Sequence, residues 1–149
     1  MKNGSEMLKA SIGVVASYIV MMILVTGLWL LGFLALGLDR IFQADTYEVT
    51  GLCVGMSLLI SIISSIVGGY LCAVISGSLG ACKALAVIVF TIGYLMCFPK
   101  MREDAHVRAG EVPLSEVMNL AQMPVWMYAV TPALGAIFIL VGARMKLKT

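Results

Sequence analysis

Residues 49–82 read VTGLCVGMSLLISIISSIVGGYLCAVISGSLGAC, 34 positions without a charged side chain. Lipid offers no partner for backbone N–H and C=O groups, so a segment crossing it does so as a helix that satisfies them internally. About 20 apolar residues in helix suffice to cross the hydrocarbon region. The stretch therefore predicts one full crossing at about 51–76. It also predicts the first turn of another, which begins after the break Ser76-Gly77-Ser78. Working outward, Ala10–Leu38 gives 29 uncharged positions and Val117–Ala143 gives 27. Leu79–Phe98 is interrupted only by Lys83 in its first turn, where a lysine can extend its ammonium to the headgroups. These runs are too long to be the strands of a membrane barrel, which need about 10 residues each.

Composition agrees, with 61% hydrophobic and 12% charged residues, against about 25% charged in a soluble domain. The expected fold is an all-α integral membrane protein of one domain over 1–149, with spans at about 10–38, 51–76, 79–98 and 121–143. Four transmembrane helices in an antiparallel bundle follow, the second and third forming a tight hairpin. Lys2 and Lys9 precede the first apolar run as in a secretory signal. That run is about twice the 7–15 residues of a signal core, so it reads as a retained first helix.

Charge outside the spans sets an expected orientation. One face carries Lys2, Lys9, Lys83, Arg144, Lys146 and Lys148 against Glu6 alone. The other carries Arg40, Lys100, Arg102 and Arg108 among seven acidic residues. Lys and Arg favour the cytoplasmic side, which places both termini and the turn before Lys83 in the cytoplasm of a bacterial-type plasma membrane. Phe42, Tyr47, Tyr94, Phe98, Trp126 and Tyr128 then fall near the opposite interface, as membrane aromatic belts do.

Helices in lipid associate by close van der Waals approach rather than by exclusion of water. The second span carries small residues for that purpose. Gly51 and Gly55 form a GxxxG pair, and Ser57, Ser61, Ser65, Gly69, Ala73 and Gly77 continue at intervals of four. Ser64, Gly68, Cys72 and Ser76 lie beside them. Steps of four trace a slowly turning groove. Helices of the same chain can fill it, or a second membrane subunit can. In the fourth span Pro132 removes one helix hydrogen bond and predicts a kink.

Several chemistries lack their residues. The chain is similar to small four-helix multidrug exporters in size, but those use a glutamate in the first helix. Here that helix has the hydroxyls of Ser11, Ser17, Tyr18 and Thr26 and no carboxylate. Ion-coupled transport generally needs an ionisable group within the membrane. Intramembrane haem needs axial ligands, and the single His106 lies in a loop. Thiol oxidoreductases of the four-helix kind use a CxxC pair, which Cys53, Cys72, Cys82 and Cys97 do not form. A disulfide joining Cys53 to Cys97 would need two helices whose facing nothing in the sequence sets. Met123 and Met127 make an MxxxM pair of the sort that holds Cu(I), as copper-uptake transporters do, but without their helix count or methionine-rich tail. No cofactor or metal is expected.

The longest polar segment, 99–120, is expected to face outward. Its Pro113, Leu114, Val117, Met118 and Leu120 suggest a short interfacial helix. Arg102, Glu103, Asp104, His106 and Arg108 form a mixed-charge docking surface, and loops this long tend to be functional. Glu103, Asp104 and His106 read as solvated loop residues rather than as a metal site. The expected function is that of a non-catalytic accessory subunit of a membrane complex, its partners being other integral membrane subunits or copies of itself, with lipid and no nucleic acid. The alternative is a small oligomeric channel lined by second-span serines. An enzyme acting on lipid would lack a nucleophile–base pair.

Overall fold

The computed structural model describes residues 2–43, 48–100 and 122–148, and at 2, 3, 38, 39 and 97–100 the backbone alone. It is all-helical, and four of its helices are long and apolar enough to cross a membrane. In chain order they are α1 (Lys2–Leu36), the single turn α2 (Leu38–Ile41), α3 (Gly51–Ser76), α4 (Leu79–Lys100) and α5 (Val125–Leu147). The spanning helices are α1, α3, α4 and α5, which gives the chain a membrane location.

Local chemistry sets the helix ends. Thr50 caps α3, its Oγ1 accepting from the Cys53 N–H at 3.4 Å and donating to the Arg40 carbonyl at 2.8 Å. Gly77 closes α3 in the left-handed region at φ 60°, where its N–H reaches the Ala73 carbonyl at 2.9 Å. A residue with a Cβ is strained there, and glycine is not. Helix α5 begins only after Pro124, because the residue before a proline is pushed out of the helical region. It runs past the uncharged stretch to Leu147, with Arg144 and Lys146 in its last turn, where cations complement the helix dipole.

The hub of the structure is α3, which packs chiefly against α5 and α1, while α4 packs chiefly against α5. Side chains added at Gly13 and Gly32 of α1 would meet Ser76 and Met56 of α3. Between these two points Met21 lies against Gly68. Across α4 and α5, a side chain at Gly93 would meet the Pro132 ring at 3.2 Å. Pro132 is buried inside an unbroken α5, so the ring serves as a packing surface that the opposing glycine makes room for. Only two residues, Gly77 and Ser78, separate α3 from α4. Gly135 of α5 nevertheless sits between them, with Ser65 of α3 and Val89 of α4 at 3.5 and 3.6 Å from its Cβ direction.

Two buried clusters result. One joins all four spans through Met21, Cys72, Ala73, Ala81, Cys82, Leu85, Ala86, Ile139 and Ala143. The other lies where α2 meets the start of α3, and comprises Phe33, Ile41, Phe42, Val49 and Cys53. A small backbone clasp covers it. Phe42 bridges Val49, Glu48 bridges Gln122, and the Thr50 N–H donates to the Ile41 carbonyl at 2.8 Å. Large apolar side chains such as Ile19, Leu31, Leu59, Val87 and Ile137 point outward, where lipid receives them.

Candidate helix-packing interface

The small-residue stripe of α3 divides into parts with different surroundings. Rows four residues apart lie on one helix face, and neighbouring rows are turned by about 100°. The row Ser64, Gly68, Cys72 is buried and turns toward α1. Gly68 lies under the Met21 thioether, and the Cys72 carbonyl lies 3.5 Å from the Cβ direction of Gly13. The row Ser65, Gly69, Ala73 is buried and turns toward α5, with Ser65 beside Gly135 and Gly69 against the backbone of Ile139. Ser57 is buried, and Ser61 is half-buried. Gly77 is the helix cap.

The closest glycine contact among the described residues is reciprocal. The Cβ direction of Gly69 points into the Ile139 peptide, 2.7 Å from its carbonyl carbon. That of Gly142 points into the Ile66 peptide, 2.9 Å from its carbonyl carbon. In each case one Cα–H of the glycine is aimed at a carbonyl of the other helix. Such Cα–H···O contacts are worth about 0.5–1 kcal/mol apiece. The sequence reading named Gly69 but not Gly142, which lies in a Gly-Ala pair just before Arg144. Its spacing of seven from Gly135 places both near one face of α5, and that spacing was the available signal.

Gly51 and Gly55 have a different environment. Both are exposed, and among the described residues a Cβ at either would meet nothing within 4 Å. The Gly51–Gly55 end of the stripe is therefore unfilled by the described residues. No family model, curated protein or solved structure matches this chain. The functional reading rests on its own residues.

The serines show how polar groups are handled. Ser57 donates to the Cys53 carbonyl at 2.8 Å and Ser76 to the Cys72 carbonyl at 2.6 Å, the i to i−4 bond by which a helical serine satisfies itself. Among the described residues, the hydroxyls of Ser17 and Ser64 are buried without a hydrogen-bond partner. An unmet buried hydroxyl costs about 1–3 kcal/mol. Ser17→Ala and Ser64→Ala are therefore expected to raise the midpoint of detergent-induced unfolding, whereas Ser57→Ala is expected to lower it or leave it unchanged. A loss of stability in both Ser17→Ala and Ser64→Ala would show that these hydroxyls are satisfied.

Arg102, Glu103, Asp104, His106 and Arg108, and the expected helix after Pro113, lie outside the described residues, as does the Cys97 side chain. Cys53 is a buried free thiol in the cluster beneath the clasp. Met127 is buried, Met123 is half-buried, and the Met123 N–H donates to the Tyr128 hydroxyl at 3.2 Å. Among the described residues no three His, Cys, Asp or Glu side chains gather in a metal-binding group.

Proposed function

We propose that the chain is a non-catalytic subunit of a larger membrane protein complex and docks another integral membrane protein through the Gly51–Gly55 end of α3 and through the 99–120 loop. The observation that carries this reading is the contrast along one helix. Gly68 and Gly69 are filled by Met21 and Ile139, while no described residue fills Gly51 or Gly55 on the same helix. Small residues in lipid let another backbone approach closely, and this is the part of α3 left for one. The reading includes an antiparallel bundle with an α3–α4 hairpin, both termini on the cytoplasmic side of a bacterial-type plasma membrane. Its support is the two-residue turn at Gly77–Ser78, the order of the contacts from Gly13–Ser76 to Gly32–Met56, and the lysines near the termini.

Purification in mild detergent tests it. The chain is expected to bring down a second integral membrane protein, and Gly55→Ile is expected to reduce that recovery about tenfold, the equivalent of 1.4 kcal/mol. The variant's own unfolding should change little, because a Cβ at Gly55 meets nothing within 4 Å among the described residues. A chain that runs alone as a monomer and brings down nothing overturns the proposal. Solute flux through liposomes holding the pure chain, blocked by Ser61→Leu or Ser65→Leu, would favour the channel instead.

A further inference from the structure

Helix α1 outruns α3. Gly13 lies beside Ser76, the last residue of α3, and Met21 lies beside Gly68, so the turns of α1 before Gly13 overhang the end of its neighbour. The chain leaves α3 there through Gly77 and Ser78, and a crevice of about 730 Å³ opens between that turn and the overhang. Glu6 and Lys9 line one wall, Ser76 and Ser78 the other. Lys9 is the last charge before the 29 uncharged positions of the first span, so the crevice stands where hydrocarbon gives way to headgroups. Its acid and base are exposed, and among the described residues neither has an ion-pair partner. Three residues apart on a helix, they are neighbours with about 5–6 Å between Cβ atoms. The Ser76 hydroxyl is spent inward on the Cys72 carbonyl at 2.6 Å. That of Ser78 accepts from the Gly80 N–H at 3.2 Å, which commits a lone pair and leaves its proton for an outside acceptor.

We propose that this crevice binds the headgroup of a phosphatidylethanolamine lipid. That headgroup carries one anionic phosphate and one primary ammonium, which match the one base and one acid of the crevice. The Lys9 ammonium and the Ser78 hydroxyl donate to phosphate oxygens, and the Glu6 carboxylate accepts from the headgroup ammonium. Each end is thus held by a charge-assisted hydrogen bond. Other headgroups leave part of the site unmatched. Phosphatidylcholine offers the phosphate, but its quaternary ammonium has no N–H to donate. Phosphatidylglycerol offers the phosphate without a cation and sets an anion beside Glu6. A lipid suits the place better than a soluble phosphoethanolamine, because at the edge of the span its acyl chains stay in hydrocarbon. The site lies at the opposite end of α3 from Gly51, so its failure and that of partner docking are read separately.

The test uses the full chain, delipidated in mild detergent, with one dioleoyl lipid added at a time and native mass spectrometry to count bound lipid. Phosphatidylethanolamine is expected to occupy the chain about tenfold more than phosphatidylcholine or phosphatidylglycerol at equal concentration, the effect of one hydrogen bond to a charged group. Lys9→Gln should weaken all three, because each carries a phosphate. Glu6→Gln should remove the preference for phosphatidylethanolamine over phosphatidylglycerol. Lys83→Gln, outside the crevice, should keep the parent pattern. Circular dichroism matching the parent shows that each variant keeps its helices, as expected for exposed positions. Equal occupancy by the three lipids overturns the proposal. So does a preference that survives both Glu6→Gln and Lys9→Gln, or one that is lost in Lys83→Gln. Soluble glycerophosphoethanolamine should not displace the lipid at equal concentration; displacement would make this a site for the free headgroup and overturn the assignment to a membrane lipid.

Discussion

Gly69→Leu separates α3 from α5 and removes most of the tertiary stability of the chain while leaving its helices intact. The expected result follows from what stands opposite Gly69. The new side chain would enter the Ile139 peptide, whose carbonyl carbon and Cα lie 2.7 and 2.8 Å from the Cβ direction. Backbone cannot swing aside as a side chain can, so the two helices must move apart along their crossing. Overpacking of a well-filled core costs about 1–3 kcal/mol, and the lost Cα–H···O contacts add about 0.5–1 kcal/mol each. Gly142→Leu should act alike, because its Cβ direction points into the Ile66 peptide in the reciprocal sense. Gly68→Ala is a milder change, since it meets the end of the Met21 side chain, and Gly27→Ala meets nothing within 4 Å. Unfolding in sodium dodecyl sulfate, followed through the fluorescence of Trp126 on α5, should show the order Gly69 and Gly142 well below Gly68, with Gly27 at the parent value. Circular dichroism should be unchanged throughout, because backbone in lipid stays helical without tertiary packing. A Gly69→Leu midpoint equal to the parent would show that the two helices do not meet at this residue.

Ile41→Ala opens the clasp between the first two spans. Ile41 is fully buried, Phe42 and Val49 nearly so, and they pack together with Phe33 and Cys53. This cluster lies at the ends of the spans rather than in their middle, so its burial also excludes water. Isoleucine-to-alanine in such a site costs about 2–5 kcal/mol from lost transfer energy and the cavity left behind. The hydrogen bonds that depend on it run from Gln43 to Glu48, Val49 to Gln122 and Thr50 to Ile41. Hydrogen exchange is the direct measurement. The amides of Gln43, Val49 and Thr50 are expected to lose protection, while those of Ser64–Ala73 in the membrane keep it. Equal protection in parent and variant would show that the backbone bridges hold without the cluster.

These two expectations mark where the sequence was legible. Uncharged runs announce spans because a charge inside hydrocarbon is costly whatever its neighbours, and that rule needs no partner to apply. Gly77 was readable as a helix stop for a similar local reason, its φ of 60° being one that glycine alone adopts freely. The stripe on α3 was visible as a pattern of small side chains. Its division was not, because small residues look alike in sequence whether a neighbour fills them or leaves them open. Gly55 and Gly69 differ only in what lies across from them. Gly142 escaped notice because it belongs to no repeat within its own helix beyond its distance from Gly135.

The turn that joins α3 to α4 was read from Ser76-Gly77-Ser78. Chain order did not foretell that α5 would lie between the two helices, since a short connection brings two helix ends together without deciding what packs along their lengths.

The sequence by itself therefore determined that the chain spans a membrane four times as helices, because hydrocarbon constrains each segment separately. Only the tertiary structure decided which of the small residues of α3 are taken up by α1 and α5, and that Gly51 and Gly55 are not. That outcome depends on the relative rotation and crossing of helices. Where no water drives the association, these are set by the fit of one surface against another.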